Sequence, residues 1–417
     1  MIDIKLVRDN QELVKNKIAT KGYDPAIIDN LILADVEHRK LLAESEDLRK
    51  RRNQLSKTNT DREEAKQVKA DLQEMEVRLK EKKEKVSQLL NSIPNLPLDN
   101  VPVGKTDADN KEIKIWGTKP NFVFEPKTHF ELGKALGLLN FEAGAKVSGS
   151  QFYFLFGDLA ILEFALIEYA FKLLIKEKFI PVITPDLAKS RYYLGTGYLP
   201  KGNEAQIYTI EGQDLGLIAT AEITIAGLHA DEIIPEEKLP IKYIGCSHAY
   251  RQEAGAYGKY SHGLYRVHQF TKAEMFIYCL PEESETMHDY LLAAEEKIYQ
   301  GLGIAYRVLE MCTGDLGAIA AKKYDIEAWM PGRNDYGEVT STSNCTDYQA
   351  RNLKIRVRKK DGKVEYIHML NGTAIAVSRT LIAILENYQQ KDGTIIVPEV
   401  LRQYMGKDII GFDKKLL

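Results

Sequence analysis

The chain has 417 residues, 44% of them apolar, and a formal net charge of −3, which is enough for two domains with sizeable cores and excludes a protein coated in positive charge, though not one with a local basic surface. Its four cysteines, Cys246, Cys279, Cys312 and Cys345, form no CxxC pair, which excludes the usual zinc cluster and fits free thiols in a reducing cytosol. The start, Met1-Ile2-Asp3-Ile4-Lys5, has no apolar leader, and no stretch approaches the ~20 apolar residues of a membrane span, so a soluble, cytoplasmic protein is expected.

In chain order, Ile4, Leu6, Val7, Leu13, Val14 and Ile18 predict a small packing segment over residues 1–26. From Ile27 apolar residues recur at Leu31, Ala34, Leu41, Leu48 and Leu55 in steps of 4 and 3, interleaved with His38, Ser45 and Arg52. A second stripe runs from Ala65 through Val68, Leu72, Met75, Leu79, Val86, Leu89 and Ile93, with Lys82 its one charged member. Both are heptad patterns. The polar break between them offers Thr60 or Asp61 as an N-cap. The prediction is an antiparallel two-helix arm over residues 27–93, roughly 45 Å long, with a narrow seam and a charged exterior. Arg49-Lys50-Arg51-Arg52 and the lysine-rich residues 80–85 suit phosphate contacts along a nucleic acid. Taken alone, the arm reads first as a solvated coiled coil making protein contacts.

Residues 91–117, with Pro94, Pro97 and Pro102 and then a polar run from 105 to 112, read as a linker. The domain boundary is placed between residues 104 and 105. Residues 159–176 predict an apolar helix. Residues 179–185 predict a strand whose terminal proline marks an edge or interface. Residues 192–200 form a glycine-containing loop without the lysine pattern of a P-loop. Residues 215–222 read as a buried strand running into Thr220 and Glu222. A helix over 282–302, a strand over 306–309, and a β-rich pair over 325–331 and 336–351 follow. A strand over 365–370 then leads into Asn371, Thr373 and a helix carrying Arg379 in its first turns. Strands and helices do not alternate as βαβ units, so the fold class is α+β, an antiparallel sheet flanked by helices.

The stretch 243–278 concentrates the chemistry. Two β-rich segments flank a loop with Gly255, Gly258 and Gly263, which predicts an antiparallel hairpin with a long connection. Alternation in Tyr250-Arg251-Gln252-Glu253 and Phe270-Thr271-Lys272-Ala273-Glu274 lets Arg251, Glu253 and Glu274 share one face. Burying three ionisable groups there is costly without a charged ligand; a surface hairpin with solvated charges is the plainer alternative. Glu338 and Ser341 supply a carboxylate and a hydroxyl, oxygen donors suited to Mg²⁺, although the pair alone reads better as ordinary polar residues beside a strand.

Taken together, Lys146-Val147-Ser148-Gly149, Gly195-Thr196-Gly197, Thr220-Ala221-Glu222, Tyr250-Arg251-Gln252-Glu253, Val267-His268-Gln269-Phe270, Ser343-Asn344-Cys345-Thr346-Asp347 and Leu385-Glu386-Asn387-Tyr388-Gln389, in that order and behind a heptad arm, give a chain that resembles the seryl-tRNA synthetases over nearly its whole length. The resemblance implies a class II catalytic sheet in residues 105–417, a tRNA-binding N-terminal domain in residues 1–104, and a homodimer through the 179–185 region. It implies L-serine, ATP with Mg²⁺, and tRNA(Ser) as ligands, tRNA(Sec) as a further acceptor, and neither membrane nor DNA as a partner.

By the same resemblance Arg251, Glu253 and Arg379 are catalytic, and Thr220, Glu222, Arg251, Glu274, Asn371 and Thr373 surround serine. Arg251, Gln252, Glu253, Val267, His268, Gln269, Phe270, Glu338, Val339, Thr340, Ser341 and Arg379 line ATP, with Phe270 stacking on adenine and Glu338 and Ser341 holding the metal. One departure is visible: Lys259-Tyr260-Ser261-His262-Gly263 stands where family members commonly carry Arg-Asp-Thr-Arg-Gly, so both loop arginines are replaced. Two relatives of different function make other expectations. A ligase that loads a carrier protein would lack the arm, and a catalytically silent tRNA-binding scaffold would have lost Arg251, Glu253, Glu338 or Arg379.

Overall fold

The structure is a computed structural model that describes residues 1–58, 62–198, 206–253 and 263–412. The Thr60/Asp61 cap and residues 259–262 of the departing loop lie outside the described residues. The chain divides into two compact units, Met1–Pro97 and Leu98–Leu417.

In the first unit, short helices Ile4–Asp9 and Gln11–Thr20 precede α1, Ala26–Thr58, and α2, Arg62–Ser92. Val7, Val14 and Ile18 are fully buried, but Leu13, expected to pack, is 48% exposed. It lies one residue from Val14 on a helix whose buried face is set by the four-residue step from Val14 to Ile18, so its side chain turns outward. The heptad stripe closes the seam: Leu48, Leu55, Ala65, Val68 and Leu72 pack together. Glu37 pairs with Lys82, Arg49 with Glu76 and Arg51 with Glu64, so α1 and α2 run antiparallel. At the root of α1, the nearly buried Asp35 is held by Arg8 at 2.6 Å and Arg39 at 3.0 Å.

The second unit is built on an eight-stranded sheet. Its strands are β1 (Lys111–Trp116), β2 (Ile180–Ile183), β3 (Ile241–Tyr250), β4 (Gln269–Cys279), β5 (Tyr306–Glu310), β6 (Lys322–Met330), β7 (Asp335–Asn344) and β8 (His368–Ala376). The order is β1-β5-β6-β7-β8-β4-β3-β2, antiparallel throughout except for the β2–β3 pair. The part of the expected linker that becomes β1 is a correction. Its polar residues are tolerable because β1 is an edge strand with a solvated surface. β8 runs on past residue 370, so Asn371 and Thr373 are strand residues and not part of a following loop.

One sheet face carries the core. Ala273, Met275 and Ile277 of β4 pack with residues of helices α3 (Gly157–Lys176), α4 (Ser284–Gly301) and α5 (Val377–Asn387), among them Leu162, Leu166, Ile298, Leu381 and Ile384. The other face supports the candidate site. No helix among the described residues is long and apolar enough to cross a membrane.

Candidate active site

Antiparallel partners share a face, so register decides which side chains meet. Glu274 of β4 is paired with Thr373 of β8 and with Gly245 of β3, and Phe276 is paired with Asn371. Lys272 and Phe270 lie on the same face by alternation. On β7, Glu338 and Ser341 are three residues apart and would point to opposite faces of a regular strand. The β6–β7 register shifts there: Asp325, Ile326 and Glu327 pair with Ser341, Thr340 and Glu338, which leaves Val339 as the extra residue of a bulge. The bulge brings Glu338 and Ser341 to one face. A second register shift leaves Ala374 of β8 unmatched beside the Glu274–Thr373 pair.

Residues 215–222 are not one strand. Only Gly216–Leu217 pairs, and Glu222 opens a short helix, Glu222–Leu228. That helix lies against the sheet where Gly245 has no side chain; a Cβ there would sit 2.5 Å from Ile225 Cδ1 and 3.2 Å from Ala221 Cβ. The close approach delivers Thr220 and Glu222 onto the face that carries Glu274 and Asn371.

The result is a buried polar cluster in which Thr220, Glu222, Lys272, Glu274, Asn371 and Thr373 are each less than a tenth exposed. Lys272 Nζ lies 2.6 Å from Glu274 Oε2 and donates to Thr220 Oγ1 at 3.1 Å. Thr373 donates to Glu274 Oε2 at 3.2 Å. Glu222 Oε1 accepts from Gln349 Nε2 at 2.7 Å and Asn371 Nδ2 at 3.0 Å, and Oε2 accepts from Tyr198 Oη at 2.8 Å. Burial, reinforced by the Glu274 charge, pushes the Glu222 carboxyl up to about 7, against the bonds from Gln349 and Tyr198 and the Lys272 charge. Two carboxylates face one lysine here, which leaves room for one more cationic group.

A second cluster lies alongside. Arg251 follows β3, and its backbone N–H continues the hairpin ladder by donating to the His268 carbonyl at 3.0 Å. Its guanidinium sits 5.4 Å from the centre of the Phe270 ring and donates from Nε to the Ala219 carbonyl at 3.4 Å. Arg379 Nη1 lies 3.0 Å from Glu338 Oε2 and donates to the Glu338 carbonyl at 3.2 Å. Burial would raise the Glu338 carboxyl, but the Arg379 and Lys323 charges, with Arg251 adding to them, hold it down to about 2. Arg251 and Arg379 thus act on the same carboxylate. Glu253 leaves the shared face: its φ of +48° breaks the alternation, and its carboxylate pairs with Arg266 at 3.3 Å.

Residues 1–97 match the seryl-tRNA synthetase N-terminal domain, and residues 207–388 match the tRNA synthetase class II core domain (G, H, P, S and T). A serine–tRNA ligase from Dictyoglomus turgidum is 52% identical, the match covering 97% of this chain and 98% of the relative. One from Rubrobacter xylanophilus is 50% identical, covering 99% of each. Among solved structures, seryl-tRNA synthetase from Pyrococcus horikoshii complexed with ATP superposes with a TM-score of 0.92 at 41% identity, covering 99% of this chain and 100% of that one.

The chain belongs to the seryl-tRNA synthetase family.

Its reaction class is that of the aminoacyl-tRNA synthetases, the ligation of serine to tRNA, carried out on a class II core. Within that frame the structure separates the expected site residues into two groups. Thr220, Glu222, Glu274, Asn371 and Thr373 come together with Lys272, and the Arg251 charge reaches Glu338, with which Arg379 pairs. The side chains of Val267, Val339 and Thr340 turn inward, with Thr340 bonded to Glu295 at 2.8 Å, so only their backbone can face a ligand. Gln252 and His268 spend their side chains on the scaffold: Gln252 donates to the Ile207 carbonyl at 2.8 Å, and His268 Nδ1 lies 2.8 Å from both Tyr208 Oη and the Arg251 carbonyl. Gln269, the first residue of β4, is paired with Tyr250 across the hairpin.

Lys272, Tyr198 and Gln349 escaped the sequence reading. Lys272 had a signal, since it stands two residues from both Phe270 and Glu274. Tyr198 lies in the 192–200 loop and Gln349 in the 336–351 segment, and both reach Glu222 only through tertiary contact. As for a metal, no group of three or more His, Cys, Asp or Glu side chains forms a cage among the described residues. The bulge does align two hard oxygen donors, Glu338 and Ser341. Beside them Asp325 is 5% exposed; Lys323 Nζ lies 3.3 Å from each of its oxygens, and Oδ1 takes no hydrogen bond beyond that ion pair. That donor set fits a Mg²⁺ that keeps water and phosphate ligands.

Proposed function

We propose that this chain activates L-serine with ATP to give seryl-adenylate and pyrophosphate, then transfers the seryl group to the 3′ end of tRNA(Ser), with tRNA(Sec) as a further acceptor. The observation that carries the reading is the adjacency of the two clusters, a carboxylate-rich pocket with room for one cation and, reached through Arg251 beside Ala219, the half-buried Glu338 that Arg379 pairs with. The serine ammonium fits against Glu222 and Thr220, and the serine hydroxyl against Glu274, Asn371 and Thr373. Alanine would leave those buried groups unpaired, which is the strong form of rejection, and pocket size excludes larger side chains.

Arg251 bridges the serine carboxylate and the ATP α-phosphate. A carboxylate oxygen bonds to the α-phosphorus as the bond to the pyrophosphate oxygen breaks. Two anions meet in that step, so positioning and fixed positive charge supply the catalysis, and no proton needs to move. Arg379 meets the γ-phosphate, Phe270 stacks on adenine, and Glu253 lines the nucleotide with the 267–270 segment. Glu338 and Ser341 would hold Mg²⁺, which when bound offsets phosphate charge. In the second step a terminal ribose hydroxyl of the tRNA attacks the seryl carbonyl, the acyl bond to the adenylate oxygen breaks, and AMP leaves with the hydroxyl proton on its phosphate.

The arm is the part of the chain assigned to tRNA, and the working form is a cytoplasmic homodimer. Supporting the dimer, edge strand β2 and helix α3 leave Ile180, Ile183, Ile161 and Phe164 between 47% and 88% exposed, a patch that a monomer would expose to water. Light scattering at micromolar concentration should give twice the chain mass; a monomer mass contradicts the dimer. The function itself is tested by ATP–pyrophosphate exchange run beside tRNA charging. Exchange that depends on serine, and not on alanine or threonine, is the expected result. Exchange independent of serine contradicts it.

A further inference from the structure

Behind the Arg379 guanidinium lies a buried pair that the reaction chemistry does not use. His129 Nε2 accepts the backbone N–H of Leu264 at 3.1 Å, so the ring proton sits on Nδ1, 2.8 Å from Glu386 Oε1. The same carboxylate oxygen accepts the His129 backbone N–H at 2.9 Å, and Oε2 accepts the Gly332 backbone N–H at 2.9 Å. His129 is 8% and Glu386 1% exposed. The backbone is shaped around them: Gly263 has a φ of +75°, and a Cβ there would lie 2.2 Å from His129 Nε2.

Each segment fastened to this pair delivers one side chain to a common point. Tyr265 follows Leu264, Arg333 follows Gly332, and Arg379 lies on α5 two turns before Glu386. The Tyr265 ring is where they meet. The Arg379 guanidinium carbon is 4.7 Å from the ring centre, and that of Arg333 is 4.9 Å from it. A guanidinium over an aromatic face is held without spending its N–H donors, which stay available for anions. Glu338 supplies the other restraint on Arg379, at 3.0 Å.

We propose that Tyr265 is a positioning residue for Arg379, holding the guanidinium in register for the nucleotide triphosphate, and that the His129–Glu386 pair is the buried anchor of that ring. The inference rests on the reading that Arg379 meets the γ-phosphate. It gives the half-buried aromatic ring a role at the ATP end of the site, with no part in recognising serine.

The test is ATP–pyrophosphate exchange by the full-length enzyme, with KM measured separately for ATP and serine, and ATP binding measured by calorimetry. Tyr265→Leu should raise the ATP KM and weaken ATP binding about tenfold, within the range of a partly shielded cation–π contact, and leave the serine KM within about twofold. Tyr265→Phe keeps the ring and should restore most of the loss. Tyr265→Met replaces the leucine variant if that protein melts early, and the same split is expected. His129→Leu should give the same split with a lower melting temperature. Equal changes in both KM values, or a phenylalanine variant as damaged as leucine, overturn the proposal. Arg379→Ala separates the two layers. If it impairs ATP use while Tyr265→Leu does not, the positioning role alone falls. If Arg379→Ala leaves ATP use intact, the reading of Arg379 fails and takes the proposal with it.

Discussion

Lys82 pairs with Glu37 on the arm with side chains 43% and 57% exposed, whereas Lys272 pairs with Glu274 in the pocket with side chains 8% and 1% exposed. The chemistry is the same and the surroundings are opposite. On the arm, water and salt screen each charge, and a pair of this kind contributes about 0–1 kcal/mol. In the pocket the desolvation cost of both ions must be met by their attraction and by the hydroxyls of Thr220 and Thr373. Charge on the arm is therefore replaceable one residue at a time and acts through its sum, as suits a nucleic-acid backbone. Charge in the pocket acts through individual atoms at fixed distances, as suits a small polar substrate.

The widest separation comes from removing the arm. Deleting residues 31–92 should abolish tRNA charging and leave serine-dependent pyrophosphate exchange near its normal rate, because no candidate catalytic residue lies in that segment. In the intact enzyme, tRNA binding should weaken steeply with salt as the arm's lysines and arginines lose their counterion advantage. A folded deletion protein that still charges tRNA would show that the arm is not the tRNA contact.

Next in size is Arg251. Its fork can donate to a carboxylate and a phosphate at once, and lysine cannot reproduce that geometry. Arg251→Lys should keep the fold and lose about 10²–10³-fold in exchange, the scale of a lost oxyanion donor. Near-normal exchange by the folded variant would place Arg251 outside the reaction.

The two regions also differ in how far the sequence exposes them. The arm was legible because a solvated helix needs one narrow apolar stripe, and the stripe names its own residues, from Leu31 and Ala34 to Val68 and Leu72. Leu13 went wrong in the same unit because a short amphipathic run does not say how wide its buried face is. In the pocket, periodicity located the hairpin and the side of β4 that carries Glu274, and the family resemblance supplied the partners. Periodicity alone would have parted Glu338 from Ser341, since the extra residue Val339 leaves no mark in the sequence. It also read residues 215–222 as one strand, because the close approach that Gly245 permits lies far along the chain from Glu222. Lys272 passed as one more strand charge. Its role depends on Thr220, which only the tertiary fold brings within 3.1 Å.

Lys272 sharpens the comparison on the scale of stability. Lys272→Met preserves length and removes the charge, leaving Glu274 buried beside the already protonation-prone Glu222. Removing one partner of a buried pair costs about 3–5 kcal/mol, while Lys82→Ala on the arm should cost less than about 1 kcal/mol. Chemical denaturation of the two variants measures both. Equal small losses would mean that the pocket pair is as well solvated as the arm pair.

The smallest effect is a pH dependence confined to the pocket. Glu222 is pushed from its ordinary 4.5 up to about 7, so the folded chain holds this proton more tightly than the unfolded chain does. The associated stability, on the order of 3 kcal/mol, is fully present below about pH 4.5, declines as pH rises toward 7, and is gone above it. Serine binding runs the other way. Its ammonium favours the ionised carboxylate, so binding must release the proton wherever Glu222 carries one. The serine KM should fall about tenfold between pH 6 and 8 and level off above that, with proton release seen by calorimetry in buffers of different ionisation enthalpy. Glu222→Gln should bind serine weakly and flatten the profile over that range. A serine KM that rises with pH in the unmodified enzyme would mean that the ammonium is met by some other group, and that Glu222 belongs to the scaffold with Tyr198 and Gln349.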